Sequence, residues 1–202
     1  MNASKAPIYG LTGNMGCGKS TVAKFFGEFQ GVVIFSADDV AKELLREERY
    51  AEKLSDPLGA NIFTGGKVDF RKIAQAVFSD SETLRKLEHF IHPLTWRAIR
   101  DRMREYDQVS FFLVESALIY EAAWEKYFDA IIVVTCSPEE QCRRIQNSRD
   151  LSEEEITKRL MRQLTVKEKV KRADFVIDTT CSIGEVRSKV KDLYYRLTGN
   201  DV

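Results

Sequence analysis

The sequence predicts an α/β protein built on a doubly wound, parallel, five-stranded sheet. Five short apolar or β-branched runs lack polar alternation, a pattern typical of strands buried on both faces of a parallel sheet. Helical patterns separate these runs, and such alternation implies right-handed crossovers between parallel strands. The predicted strands are Ile8–Thr12, Val32–Ser36, Ser110–Glu115, Ala130–Thr135 and Phe175–Asp178.

The bulk composition excludes several classes of protein. The chain has 202 residues, and Lys+Arg and Asp+Glu both number 31, so no overall field attracts nucleic acid or an anionic membrane. No apolar run approaches the length of a membrane span. The four cysteines form no C-x-x-C pair, and the N-terminus lacks the apolar stretch of a signal peptide. We therefore expect a cytoplasmic protein, monomeric or weakly homo-oligomeric, with no nucleic-acid or membrane partner.

The spacing of the predicted strands is uneven. The first helix shows one apolar face at i, i+3, i+4 and i+7, but more than seventy residues without a strong strand separate Ser36 from Ser110. They show helical patterns punctuated by turns at Asp56-Pro57 and Thr64-Gly65-Gly66. A helical insertion in such a sheet is suited to binding an acceptor substrate, and the charged helical stretch from Glu139 to Gln163 is suited to a lid. The predicted division is a core of 6–44, 109–138 and 166–202, an acceptor-binding insertion of 45–108 and a lid of 139–165.

A phosphate-binding loop follows the first predicted strand. The segment Gly13–Ser20 matches G-x-x-x-x-G-K-S/T in full, between a strand and an amphipathic helix. Glycines let successive N–H groups point at phosphate oxygens, Lys19 would reach the β- and γ-phosphates, and the Ser20 hydroxyl would bind Mg²⁺. The sequence thus predicts a P-loop NTPase fold. The predicted ATP-binding residues are Gly13, Asn14, Met15, Gly16, Cys17, Gly18, Lys19, Ser20, Thr21, Arg144 and Arg149.

The remaining motifs favour a kinase over a switch or a motor. A GTPase usually carries D-x-x-G and N/T-K-x-D after later strands, and a motor usually carries an apolar run ending in Asp-Glu; none is present. A small chain with a helical insertion and an arginine-rich lid suits a metabolite kinase, because the arginines can neutralise the transferring phosphoryl group. The lid arginines are Arg143, Arg144, Arg149, Arg159 and Arg162.

A carboxylate follows the second predicted strand, in Phe35-Ser36-Ala37-Asp38-Asp39. Ligands of doubly wound sheets bind at the carboxyl ends of the strands, so Asp38 could accept the proton of an attacking hydroxyl or help position Mg²⁺. Asp38 could equally be the N-cap of the following helix. The pattern alone favours neither interpretation.

The ordered series of motifs resembles the dephospho-CoA kinase family over nearly the whole chain. The similar segments are Gly10-Leu11-Thr12-Gly13, Ser36–Lys42, Gly66-Lys67-Val68-Asp69 with Arg71, Val77-Phe78, Leu84, Leu87-Glu88, His92-Pro93, Leu113-Val114-Glu115, Gln141, Arg144, Arg149-Asp150, Arg162-Gln163 and Ala173–Asp178. The resemblance implies ATP-dependent phosphorylation of the ribose 3′-hydroxyl of dephospho-CoA with Mg²⁺, and maps the family's proposed base to Asp38. The alternatives are another nucleoside, nucleotide or metabolite kinase, or a slowly hydrolysing nucleotide-dependent switch.

The resemblance also supplies site assignments. Catalytic roles fall to Asp38, Lys19 and Arg149, and Arg149 is preferred as a phosphate ligand over a solvated charge because Arg suits oxyanions. His92 is expected to be chiefly structural, at a wall of the acceptor site. Glu115 is expected to hold a magnesium-bound water or to orient a lid residue, or else to be only a charge at a helix N-terminus. The predicted substrate-binding residues are Thr12, Asp38, His92, Leu113 and Glu115.

Several positions depart from the family pattern. Ser36 stands where the family has its first Asp, so any role of that carboxylate is missing or moved to Asp39. Phe111-Phe112 replaces Pro-Leu and is expected to reshape the acceptor pocket, and Thr179 and Cys181 replace Asn and Gly on the adenine side. Cys17 occupies a loop position where Ser is usual. We expect its thiol either to be merely small enough to fit or, in the positive potential of the loop, to be the most reactive of the four.

Overall fold

The computed structural model describes residues 6–47, 49–50, 53–54, 62–64, 67–147 and 153–199. These residues form two compact units. The sheet unit comprises Met1–Phe35 and Asp107–Val202, and the helical unit comprises Ser36–Tyr106. In the described ranges, every helix is too short or too polar to cross a bilayer.

The predicted five-stranded parallel sheet is confirmed. Its strands are β1 (Ile8–Thr12), β2 (Val32–Ser36), β5 (Phe111–Glu115), β6 (Ala130–Thr135) and β7 (Phe175–Asp178), in the spatial order β2-β5-β1-β6-β7. The central strand β1 pairs on both sides, with Gly10 opposite Val114 of β5 and Ile131 of β6. This order places the carboxyl end of β1, and the loop that follows it, at the centre of the carboxyl end of the sheet.

Helices fill the connections, as the sequence predicts. In the sheet unit they are α1 (Lys19–Phe26), α5 (Pro138–Gln146), α6 (Glu153–Met161), α7 (Val166–Lys171), α8 (Ile183–Thr198) and a 3₁₀ turn at Glu125–Tyr127. In the helical unit they are α2 (Ala37–Arg46), α3 (Phe70–Ser79) and α4 (Ser81–Met103).

The core of the sheet unit lies around its three central strands. Leu11, Leu113 and Ile132 are fully buried, one on each of these strands. The helices α1 and α8 pack against each other and add Phe26 and Val190 to the same cluster. Strands buried on both faces cannot alternate apolar with polar residues, which explains the continuous apolar runs in the sequence.

The helical unit departs from the sequence prediction in two respects. A short antiparallel hairpin, β3 (Phe63–Thr64) with β4 (Lys67–Val68), occurs where only helices were expected. Two-residue strands carry too little periodicity to be recognised in a sequence. The predicted turn residues Gly65, Gly66 and Asp56-Pro57 lie outside the described residues.

The second departure concerns His92-Pro93, because the residue before a proline usually marks a helix boundary. Both residues lie inside α4, a single helix of 23 residues with Pro93 in its interior. Proline removes one backbone hydrogen bond from a helix, but packing can outweigh that loss. Here α4 packs against both α2 and α3 and buries Ile91 and Ile99.

Candidate active site

The phosphate loop between β1 and α1 adopts backbone angles that favour glycine. Gly13 has φ of 151° and Gly18 has φ of 84°. A Cβ on Gly13 would lie 2.3 Å from the carbonyl oxygen of Val134, on the neighbouring strand β6. The glycines of the motif are therefore required by both the dihedral angles and the close approach of another strand.

Side chains from distant segments hold the carbonyl groups of this loop. Gln141 Nε2 donates to Met15 O at 2.7 Å, Cys136 Sγ lies 3.8 Å from Gly16 O, and Thr179 Oγ1 lies 2.9 Å from Cys17 O. Three consecutive carbonyl groups are thus satisfied by protein. The first N–H groups of α1 have no intrahelical acceptor, so the loop and the helix start together present donors suited to an anion.

Thr179 occupies a central position beside the loop. Its hydroxyl lies 2.9 Å from Cys17 O and 3.1 Å from Thr135 O, and it accepts a hydrogen bond from Arg144 Nη1 at 2.8 Å. A hydroxyl has one proton, so Thr179 donates to one of the two carbonyl groups at a time. Thr179, which stands where the family usually has Asn, therefore helps to hold the loop in place.

Arg144, predicted to bind ATP, is held beside the loop by neutral and acidic partners. It donates to Glu140 Oε1 and to Thr179 O, each at 2.8 Å, in addition to the Thr179 hydroxyl. Hydrogen bonds from Arg143 and Arg144 lower the pKa of Glu140 to about 2. Glu140 therefore stays ionised and fixes the Arg144 guanidinium.

An open cavity adjoins the loop on the side of Arg144. Its volume is about 460 Å³, within the range of small-molecule sites. Polar loop atoms form one wall and apolar side chains of α8 form another. The lining residues are Gly16, Gly18, Thr21, Glu140, Arg143, Arg144, Thr179, Cys181, Ile183 and Val186.

The end of β5 brings a carboxylate to the start of α1. Ser20 Oγ donates to Glu115 Oε1 at 2.9 Å. Lys19, the preceding residue, reaches Asn14 O at 3.4 Å. The two residues predicted to bind or support Mg²⁺, Ser20 and Glu115, are therefore adjacent, although they are 95 positions apart in the sequence.

In the helical unit, the structure settles which residue caps α2. The N-cap is Ser36, whose hydroxyl accepts from Asp39 N at 3.2 Å. The alternative that Asp38 is the N-cap is therefore wrong. Asp38 lies in the first helical turn with an exposed side chain.

His92 of α4 is close enough to Asp38 for their charges to interact. Burial lowers the pKa of His92, and the Asp38 carboxylate partly opposes that shift. Asp38 and His92 are both predicted to bind the acceptor substrate, and the structure brings them together within the helical unit.

Other predicted residues lie inside the core of the sheet unit. Leu113 is fully buried in the central cluster, which contradicts a direct contact of its side chain with a substrate. Thr12 is equally buried, and its hydroxyl has no hydrogen-bond partner in the part of the chain that the structure describes. Phe111 contacts the rings of Tyr9 and Phe26 and is also fully buried, so it does not shape a pocket as expected.

The alternative that Cys17 is the most reactive thiol is wrong, because a reactive thiol must be accessible. Cys17 is fully buried, whereas Cys142 is exposed. Burial beside Cys17 raises the pKa of the Cys136 thiol to about 12, which disfavours a reactive thiolate there too. The alternative that Cys17 is small enough to fit agrees with the structure.

Two lid arginines are not described by the structure at side-chain level. Arg149 and the side chain of Arg159 lie outside the described part of the chain. Their assignments remain predictions from the sequence.

Several contacts of this site escaped the sequence analysis. The pairing of Glu140 with Arg144 follows the i, i+4 spacing of helices and could have been found. The contact of Thr179 with Cys17 joins residues 162 positions apart, and no local pattern signals it.

The sheet order, the formed phosphate loop and the acid–serine pair at its end define a P-loop kinase. A profile of the dephospho-CoA kinase family matches residues 7–185. The Aquifex aeolicus dephospho-CoA kinase is 38% identical over 191 residues, covering 94% of this chain and 96% of that protein. The chain therefore belongs to the dephospho-CoA kinase family.

Solved structures agree with this assignment. A dephospho-CoA kinase from Campylobacter jejuni is 30% identical, covers 96% of this chain and 98% of its own, and has a TM-score of 0.69. A Thermus thermophilus protein, TT1252, is 32% identical with a TM-score of 0.83, covering 97% and 100%. A shikimate kinase from Acinetobacter baumannii, at 16% identity and a TM-score of 0.52, shares the fold.

Proposed function

We propose that this chain transfers the γ-phosphoryl group of ATP to the ribose 3′-hydroxyl of dephospho-CoA, giving coenzyme A and ADP. The observation that carries the proposal is the family match over residues 7–185 together with a fully formed phosphate loop. ATP and dephospho-CoA are then the small-molecule partners. A monomer or weak homo-oligomer remains the expected state.

Asp38 is the proposed general base. It is exposed, has no capping role, and lies beside a histidine whose lowered pKa keeps the imidazole neutral near pH 7. Asp38 would accept the proton of the 3′-hydroxyl as the oxygen attacks the γ-phosphorus.

The residues at the end of the loop fit a magnesium ion. Mg²⁺ prefers oxygen ligands and usually keeps several waters, so the Ser20 hydroxyl would bind it directly and the Glu115 carboxylate through water. Within the described ranges, no cluster of three or more acidic, His or Cys side chains forms a metal cage. The ion would neutralise charge on the β- and γ-phosphates.

Lys19 and the lid arginines are the proposed phosphate ligands. Lys19, at the first position of α1, would contact the β- and γ-phosphates, with the loop N–H groups as further donors. Arg149 would contact the transferring group, where a guanidinium stabilises charge that develops in the transition state.

The proposal is tested by supplying MgATP with dephospho-CoA and with a panel of other hydroxyl acceptors, and measuring ADP and coenzyme A. We expect ADP to form in step with coenzyme A and only with dephospho-CoA. The Lys19→Ala variant should lose nearly all ATP turnover. Faster ADP formation with another acceptor would indicate a different metabolite kinase, and ADP formation independent of any acceptor would indicate a switch.

A further inference from the structure

Two glutamine side chains form hydrogen bonds with the backbone N–H and C=O groups of Met15, in the middle of the phosphate loop. Gln141 Nε2 donates to Met15 O at 2.7 Å, and Gln163 Oε1 accepts from Met15 N at 3.0 Å. Gln141 belongs to the first half of α5, and Gln163 follows the end of α6. The loop is therefore held by side chains from the two ends of the predicted lid.

A second hydrogen bond joins the C-terminal end of the predicted lid, beside Gln163, to the loop. Asn14 Nδ2 donates to Leu164 O at 3.1 Å, beside the Gln163 contact. The loop turns sharply here, since Cys17 N donates to Asn14 O at 3.2 Å. Residues on both sides of Met15 are thus fixed, and the direction of the following N–H groups depends on them.

A buried ion pair anchors this end of the lid. Leu164 N donates to Glu121 Oε1 at 2.7 Å, and Lys169 Nζ lies 2.9 Å from the same oxygen. Lys169 also donates to Ala117 O at 2.7 Å, just after β5. Its side chain is 0% exposed, an unusual environment for a lysine.

Burying the charged side chains of Lys169 and Glu121 costs desolvation free energy, so the pair is expected to have a specific role. Burial lowers the pKa of Lys169, and Glu121 opposes that shift. A buried ion pair is weak evidence for stability, because similar apolar residues often pack as well. The pair does, however, give Leu164 N an oriented acceptor, which an apolar pair could not supply.

We propose that Gln141 and Gln163 clamp the phosphate loop in its ATP-binding shape, and that the Lys169–Glu121 pair anchors the clamp at Leu164. These four are positioning residues, since they act through Met15, Asn14 and Leu164. Of the proposed function, the inference uses only ATP binding by the loop. Binding of ATP can be measured without an acceptor, so its result does not depend on the identity of the second substrate.

The first test is Gln163→Met, which keeps the side-chain length but removes the acceptor of Met15 N. Loss of one hydrogen bond that orients the loop should weaken ATP binding roughly three- to tenfold, measured by titration calorimetry. The KM for dephospho-CoA and the thermal midpoint should change little. Gln141→Met, which removes the donor to Met15 O, should behave in the same way.

The control is Arg187→Gln. Arg187 forms an exposed ion pair with Glu28, and neither residue belongs to the phosphate loop or to the contacts of the clamp, so the variant should bind ATP as the parent does.

The second test compares Glu121→Gln with Glu121→Leu. Glu121→Gln keeps an oxygen acceptor for Leu164 N, so this variant should retain most of its ATP affinity. Glu121→Leu removes the acceptor and should weaken ATP binding at least as much as Gln163→Met does. Glu121→Leu and Gln163→Met both act on the phosphate loop. The double variant should therefore weaken ATP binding by less than the product of the two single fold-changes. Unchanged ATP affinity in Gln163→Met and Gln141→Met would overturn the proposal, even where Glu121→Leu fails to fold.

Discussion

The phosphate loop of the sheet unit and the first turn of α2 in the helical unit are built in opposite ways. The loop is partly buried, and its carbonyl groups are held by Gln141, Cys136 and Thr179, all more than a hundred positions away. The first turn of α2 is capped locally by Ser36 and leaves Asp38 exposed. A loop that binds through its backbone needs a fixed shape, whereas a proton acceptor needs only a side chain that can reach its substrate.

The largest effect is expected where the loop backbone is changed. Gly13→Ala places a Cβ 2.3 Å from Val134 O and strains a φ of 151°, so we expect a loss of roughly 2–6 kcal/mol in unfolding free energy and no measurable ATP binding. Chemical denaturation and calorimetry would measure both.

Gly184→Ala in α8 is the matched control. Apart from its neighbours along α8, no heavy atom in the described part of the chain lies within 4 Å of the added Cβ, and alanine favours helix, so stability should rise by up to about 1 kcal/mol. A Gly13→Ala protein as stable as the parent would contradict the rigid-loop description.

Changing the first turn of α2 should affect chemistry alone. Asp38→Asn removes the proposed base from an exposed position, and Ser36 still caps the helix, so kcat should fall roughly 10²–10⁴-fold while the thermal midpoint stays the same. Steady-state kinetics and thermal denaturation check this expectation.

Asp39→Asn is the neighbouring control, since Asp39 is also exposed and in the same turn. It should keep a normal kcat. A large loss in Asp39→Asn with a normal Asp38→Asn enzyme would transfer the proposed base to Asp39.

A smaller effect is expected for the lid. If Arg149 contacts the phosphoryl group mainly in the transition state, Arg149→Ala should lower kcat about 10²–10³-fold and raise the KM for ATP much less. Arg149→Lys should recover part of the rate, because the two-pronged geometry of the guanidinium is lost. An unchanged kcat would assign Arg149 to the solvated surface.

The smallest effect is a pH dependence of the helical unit. Burial lowers the pKa of His92, so the unfolded chain binds this proton more readily and stability should fall as pH drops below about 6.5. The loss levels off below the folded pKa. Asp38→Asn removes the opposing charge and should lower the pKa of His92 further.

Proton NMR can follow this titration, since the chain has only two histidines and His89→Gln identifies the His92 signal. A His92 signal that titrates at the ordinary value, or does not respond to Asp38→Asn, would contradict the contact within the helical unit.

The sheet and the phosphate loop could both be predicted from local sequence patterns. Four of the five predicted strands match the observed bounds, and the third begins one residue later, at Phe111. Buried parallel strands leave continuous apolar runs, and the loop requires glycines at fixed spacing, so both features are written locally. The order of several motifs was enough to indicate the family.

Only the tertiary structure decided which side chains support the loop and which merely pack. Thr179 and Glu121 reach their partners across 162 and 43 positions, and such contacts leave no periodic signal. Leu113 and Phe111 resemble pocket residues in the sequence but are core residues, because the sheet order buries β5 between β2 and β1. The capping of α2 was likewise ambiguous in the sequence: Ser36 and Asp38 are both good caps, and the backbone angles at the end of β2 select Ser36.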